Sequence, residues 1–101
     1  MQNIAHAIMK AASAAGYTFA VVSEGETDYQ GSSLPKAWEA VNAVDECGVT
    51  IFTADGSRLG SLYVIPGLDP EETVADYGDA GEFTWISRTW KQVFDANERA
   101  A

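Results

Sequence analysis

Val49-Thr50-Ile51-Phe52-Thr53-Ala54-Asp55-Gly56-Ser57-Arg58-Leu59-Gly60-Ser61-Leu62-Tyr63-Val64-Ile65 is the stretch that decides the fold. Two runs rich in β-branched and aromatic residues flank Asp55-Gly56, a dipeptide suited to the positive φ angles of a tight hairpin turn. The reading is a strand over 49–54, a turn, and a partner strand over 58–65 closed by Pro66-Gly67. Gly60 inside the second strand points to a bulge, which leaves the register open.

Working back toward the N-terminus, Ser32 or Ser33 is a natural N-cap, with Pro35 tolerated in the first turn. Leu34, Trp38, Val41 and Val44 recur at helical spacing, which predicts a helix running to about Cys47 and stopped by Gly48. Before it, Tyr17 to Ser23 predicts a strand, Gly25 a turn, and Glu26 to Gln30 a returning strand. Residues 3–15 predict a first helix, with Ile4, Ala7, Ile8, Ala11, Ala12 and Ala15 on one face and Gly16 as its stop. Gly16 and Gly48 are 32 residues apart, each followed by a strand, with Thr18 matching Thr50. The pattern is an αββ unit written twice. It predicts an α+β fold, a four-stranded antiparallel sheet with helices on one face.

Toward the C-terminus, Asp69-Pro70-Glu71-Glu72 has the form of a helix start: Asp as N-cap, Pro at the first position, acids in the first turn. A short helix to Tyr77 is expected there, then Gly78 and Gly81. A last helix is expected from about Phe83 to Glu98, with Ile86, Trp90, Val93, Phe94 and Asn97 on one face.

The chain has 101 residues, 47% hydrophobic and 21% charged, which fits one domain with a core of its own. One cysteine excludes a disulfide framework and a multi-cysteine zinc site within the chain, and it fits a reducing compartment. Met1-Gln2-Asn3-Ile4 carries no basic leader, and the longest strongly apolar runs are too short for a membrane span. A cytoplasmic protein without a cofactor is expected. Six Lys+Arg against fifteen Asp+Glu give a net charge of −9, which argues against direct contact with nucleic acid or an anionic membrane.

Catalytic signals are sparse. No phosphate-binding glycine loop, nucleophile elbow or metalloprotease helix occurs. His6 lies off the alanine stripe with no orienting partner nearby in sequence, so a surface role is expected. Cys47, read at a helix C-terminus beside Asp45 and Glu46, is expected to keep its proton, because the dipole and both carboxylates disfavour a thiolate. The chain is read as a non-enzyme.

The densest charged stretch holds Asp69, Glu71, Glu72, Asp76, Asp79 and Glu82, with no Lys or Arg between Arg58 and Arg88. Three readings compete: a divalent-cation loop, a docking surface for a basic protein, and a solvated connector. Tyr77 and Trp85 flank the acids in the manner of interface anchors, so the candidate partner-binding set is those six acids with Tyr77 and Trp85. Two other functions stay open: a small-ligand or nucleotide pocket between sheet and helices lined by Tyr17, Trp38 or Tyr63, and a homodimer through the alanine-faced first helix or the aromatics of the last.

Ala15-Gly16-Tyr17-Thr18 after an alanine-rich helix, and Ala54-Asp55-Gly56-Ser57-Arg58-Leu59-Gly60 leading to Asp69-Pro70-Glu71-Glu72-Thr73-Val74-Ala75-Asp76-Tyr77, resemble a group of small acidic proteins encoded by phages and prophages of proteobacteria. The likeness covers residues 5–80 and supplies no catalytic residue to carry over. It implies a protein that works in the host cytoplasm by binding and blocking a host factor, such as a nucleic-acid-binding or defence protein, in the manner of an anti-CRISPR.

Overall fold

The computed structural model describes residues 2–100. The elements are α1 (Ile4–Ala14), β1 (Thr18–Ser23), β2 (Glu26–Gly31), α2 (Leu34–Asn42), β3 (Cys47–Phe52), β4 (Arg58–Val64), a single 3-10 turn (Pro70–Glu72), β5 (Val74–Asp79) and α3 (Trp85–Ala100). The fold is α+β, and the sheet has five strands in the order β2-β1-β3-β4-β5, every neighbouring pair antiparallel.

Gly16 and Asp55-Gly56 act as the sequence suggests, and the structure adds an N-cap that the sequence reading did not name. Asn3 caps α1 through its side-chain oxygen, which accepts from the His6 amide at 3.1 Å. Gly16, at φ +82°, ends the helix in the left-handed conformation that glycine adopts without steric cost. The Asp55-Gly56 hairpin forms, and the Asp55 side chain accepts from Thr53 Oγ1 and from the Ser57 amide. Those bonds hold its carboxyl below the ordinary value, the Thr53 hydroxyl contributing most.

Two expectations are corrected. First, residues 74–79 form a fifth strand on the free edge of β4, so the sheet exceeds the four strands expected. The helix signature at Asp69-Pro70 yields one 3-10 turn and no more. A helix confined to residues 69–77 has too few turns to offset nucleation, whereas the β4 edge offers ready partners for backbone N–H and C=O groups. Second, α2 ends at Asn42, not near Cys47; Cys47 and Gly48 belong to β3, where Cys47 pairs with Val64. Gly16 and Gly48 therefore do different jobs, and the two αββ units are only loosely alike. The bulge expected near Gly60 is present, with Leu59 as the extra residue, since Ile51 faces Gly60 while Phe52 faces Arg58.

Burial alternates along β3: Cys47, Val49 and Ile51 are buried and their neighbours are not. The helices cover that face only. The α2 helix lies over β1 and β2, α3 over β4 and β5, and α1 packs beside both. Phe19, Val21, Leu59, Leu62, Val64, Val41 and Ile86 join α1's Ile4, Ile8, Met9 and Ala12 in one core. The closest neighbours of α1 are α3, α2 and the 3-10 turn, so α1 sits between the other two helices. Buried polar groups are tied: Thr73 Oγ1 accepts from the Ala5 amide at 3.2 Å and donates to Asn3 Oδ1 at 3.0 Å, and Asn97 bonds both backbone groups of Gln2. The Cα extents of 35 × 30 × 21 Å suit two layers, with the opposite sheet face left uncovered.

Candidate functional site

The acidic stretch is divided by the fold. Asp69, Glu71 and Glu72 surround the 3-10 turn, which packs against the N-terminal end of α1. Asp76 lies on the uncovered sheet face opposite Tyr63, and its side chain accepts from the Tyr77 amide at 2.8 Å. Asp79 faces the helices instead: it accepts from the Ile86 amide at 2.7 Å and from Ser87 Oγ at 2.7 Å, satisfying donors in the first turn of α3. Glu82 is exposed in the loop before α3, at the far end of β5.

The two aromatics part as well. Trp85 packs edge-on against Tyr17 at 5.5 Å, on the covered side. Tyr77 stacks on Trp90 at 5.2 Å, and Trp90 on Phe94 at 4.9 Å, making an aromatic ladder where β5 meets α3, with Arg88 and Lys91 beside it. Lys91 is paired with Asp95, the one ion pair among the described residues.

Sequence reasoning missed acids from other segments. The β1–β2 turn, the α2–β3 connection and the β4–β5 connection all meet at one end of the sheet, because β1 and β4 finish there while β2, β3 and β5 begin there. This brings Glu24, Glu26 and Asp28 together with Asp45 and Glu46, and with Asp69, Glu71, Glu72 and Asp76. These are nine of the chain's fifteen acids, and residues 22–28, 43–48 and 61–78 contain no Lys or Arg. The signal was spread over separate segments, so only the strand order reveals it.

On the uncovered face, this end holds a shallow trough of about 530 Å³. Val22, Gly48, Ser61 and Gly78 form its floor, and Tyr63, 42% exposed, stands in it. Tyr63's hydroxyl donates to Glu46 Oε2, which pushes the phenol above its ordinary value, the hydrogen bond contributing most. Glu24, Glu46 and Asp76 line the rim.

The remaining candidates settle elsewhere. Tyr17 and Trp38 lie on the helix side, Trp38 against His6 with ring centroids 4.8 Å apart, so the expected pocket lining of Tyr17, Trp38 and Tyr63 is split between two faces. Cys47 faces the core, and its thiol is pushed from 9.0 to about 11 by burial first and by the Asp28 carboxylate second. The proton is retained as expected, but the cause is not a helix dipole. No group of three or more His, Cys, Asp or Glu side chains is arranged to hold a metal ion among the described residues, and no helix there is long and apolar enough to cross a membrane.

Compared with models of protein families, with curated proteins and with solved structures, the chain matches none.

Proposed function

We propose that this chain is a non-enzymatic protein-binding module that engages a basic protein through the acidic end of its sheet. The observation that carries the reading is the convergence of three cation-free segments on that end. Like charges gathered at one end of a sheet raise the local potential, speed encounter with Lys- and Arg-rich surfaces and disfavour acidic competitors. Among basic partners, a host nucleic-acid-binding or defence factor blocked by a phage-encoded inhibitor fits both this charge and the resemblance to phage proteins.

The test is affinity capture from a proteobacterial host lysate at low and at moderate salt, read by mass spectrometry. One discrete partner that is lost as salt rises is the expected result. A variant carrying Lys at Glu24, Glu46, Glu71 and Asp76 should fold and fail to capture it. Retained capture by that variant would end the electrostatic reading. Asp79 is left out of the variant because it caps α3.

The trough itself favours a second reading, a small-ligand or nucleotide site. Thermal shift with nucleotides and divalent cations separates the two, since a ligand that binds the native state must raise its stability. Self-association has less support than the sequence offered, because Ile4, Ile8 and Ala12 of the expected α1 stripe are buried in the chain's own core and Ala7 and Ala11 are half-buried, with only Ala15 exposed. It rests on the half-exposed ladder at α3, and a mass independent of concentration would remove it.

A further inference from the structure

Gly48 and Gly78 have no explanation within the fold. Neither has a positive φ. A Cβ added at Gly48 would meet only the Val22 carbonyl oxygen, at 3.9 Å, and one added at Gly78 would meet nothing within 4 Å. Gly48 does not end a helix, and Tyr63, its cross-strand partner, does not lie over it. Glycine inside a strand costs stability, and where no bulge, bend or neighbour requires it, close approach of another molecule is one reason for it. Both glycines open onto the same trough, Gly48 directly opposite Tyr63 on β3 and Gly78 opposite Ser61 on β5.

From this juxtaposition we infer that the trough over Gly48, Tyr63 and Gly78 is where the partner docks, and that its occupant is an arginine-bearing segment of a basic protein. The inference rests on the binding role proposed above and adds the place and the side chain recognised. The glycines let the incoming chain reach the sheet surface. The guanidinium plane lies along the exposed Tyr63 ring, whose π face attracts the cation. The head reaches Glu24, Glu46 and Asp76 on the rim, where carboxylates accept its forked N–H donors. The bond from Tyr63 to Glu46 holds ring and carboxylate together before the partner arrives. Arginine suits this site better than lysine because it is planar, stacks on rings and bonds carboxylates in pairs.

The experiment is a titration of the ¹⁵N-labelled full chain with a hexa-arginine peptide at low salt, followed by amide shifts. The comparison proteins are Gly48→Val/Gly78→Thr, which fills the trough without altering charge, and Tyr63→Ala. Saturable shifts centred on Gly48, Ser61, Tyr63 and Gly78 are expected, with binding at least tenfold weaker in both variants and hexa-lysine binding more weakly than hexa-arginine. Shifts spread over Glu24–Asp28 and Asp69–Glu72, with affinity within twofold in both variants, would overturn the trough and leave the acidic-end reading standing. No binding to the unaltered chain would overturn both. Tyr63→Ala removes an exposed side chain, so it serves if the filled variant does not fold.

Discussion

Gly60 on the helix-covered side of the sheet and Gly48 on the open side are both strand glycines, yet their surroundings are opposite. A Cβ at Gly60 would collide with the Gly78 carbonyl oxygen and come within 2.7 Å of Ile86 Cγ1, whereas one at Gly48 makes only an ordinary contact with the Val22 carbonyl oxygen, at 3.9 Å. The first glycine is required by packing: the β5 backbone at Gly78 and Ile86 of α3 both close on β4 only because that position has no side chain. The second is not required by anything in the chain. A single residue type thus reports close packing on one face and vacancy on the other, and substitution separates the two. Gly60→Ala should cost about 2–3 kcal/mol by overpacking, read as a lower urea midpoint with unchanged slope. A cost below about 0.5 kcal/mol would mean that α3 is not seated against β4 as described.

Cys47 and Gly48 are neighbours that the strand sends to opposite faces, which gives the contrast a chemical probe. The thiol, pushed up to about 11 by burial and then by Asp28, stays protonated at pH 8 in the native chain. Its thiolate fraction there should be about a hundredfold below that of the ordinary value of 9.0. Alkylation should therefore be slow in the native state and fast in urea. Because the native chain holds the proton more tightly than the unfolded one, this contribution to stability is full below pH 9 and falls as pH rises toward 11. Cys47→Ala should remove that part of the alkaline loss, as measured by urea midpoints at pH 8 and 10.5. Rapid native alkylation would place Cys47 outside the core.

Within the acidic stretch the same division holds between Asp79 and Asp76. Asp79 satisfies amides in the first turn of α3, so Asp79→Ala should cost about 1 kcal/mol and speed hydrogen exchange at Ile86 and Ser87. Asp76 is exposed on the open face, and Asp76→Ala should change stability by less than about 0.5 kcal/mol. Equal effects would remove the distinction between a capping acid and a partner-facing one.

How much of this was legible in the sequence follows from how local each signal is. Asp55-Gly56 declares its hairpin because the turn chemistry lies in two adjacent residues. Gly16 ends α1 for the same reason. Strand β5 was hidden because Asp69-Pro70-Glu71-Glu72 is a sound helix start, and its continuation is decided by a distant partner, the β4 edge. Nothing between Val74 and Asp79 states that this edge is free. The α2 boundary was misplaced because Val44 continues the helical spacing, while Cys47's pairing with Val64 is non-local. The candidate site shows the same limit: the 69–82 acids were visible as a run, but Glu24 and Glu46 join Asp76 only through strand order, and Asp79 leaves the group only through its bond to α3.

The smallest effect separates the two glycine roles most sharply, because its expected sign is opposite to that of Gly60. At Gly48 and Gly78 a side chain adds strand propensity and removes the backbone freedom that glycine keeps when unfolded, and it meets no obstacle. Gly48→Val should leave stability unchanged or raise it by about 0.5–1 kcal/mol, and Gly78→Ala should act likewise with a smaller gain. A thermal melt of each suffices. A loss of stability at Gly48 would show that the glycine serves the fold after all, and the trough would lose the feature that sets it apart from an ordinary open sheet face. A gain, joined to weaker binding of the arginine peptide, would identify a position where the chain forgoes stability to leave room for its partner.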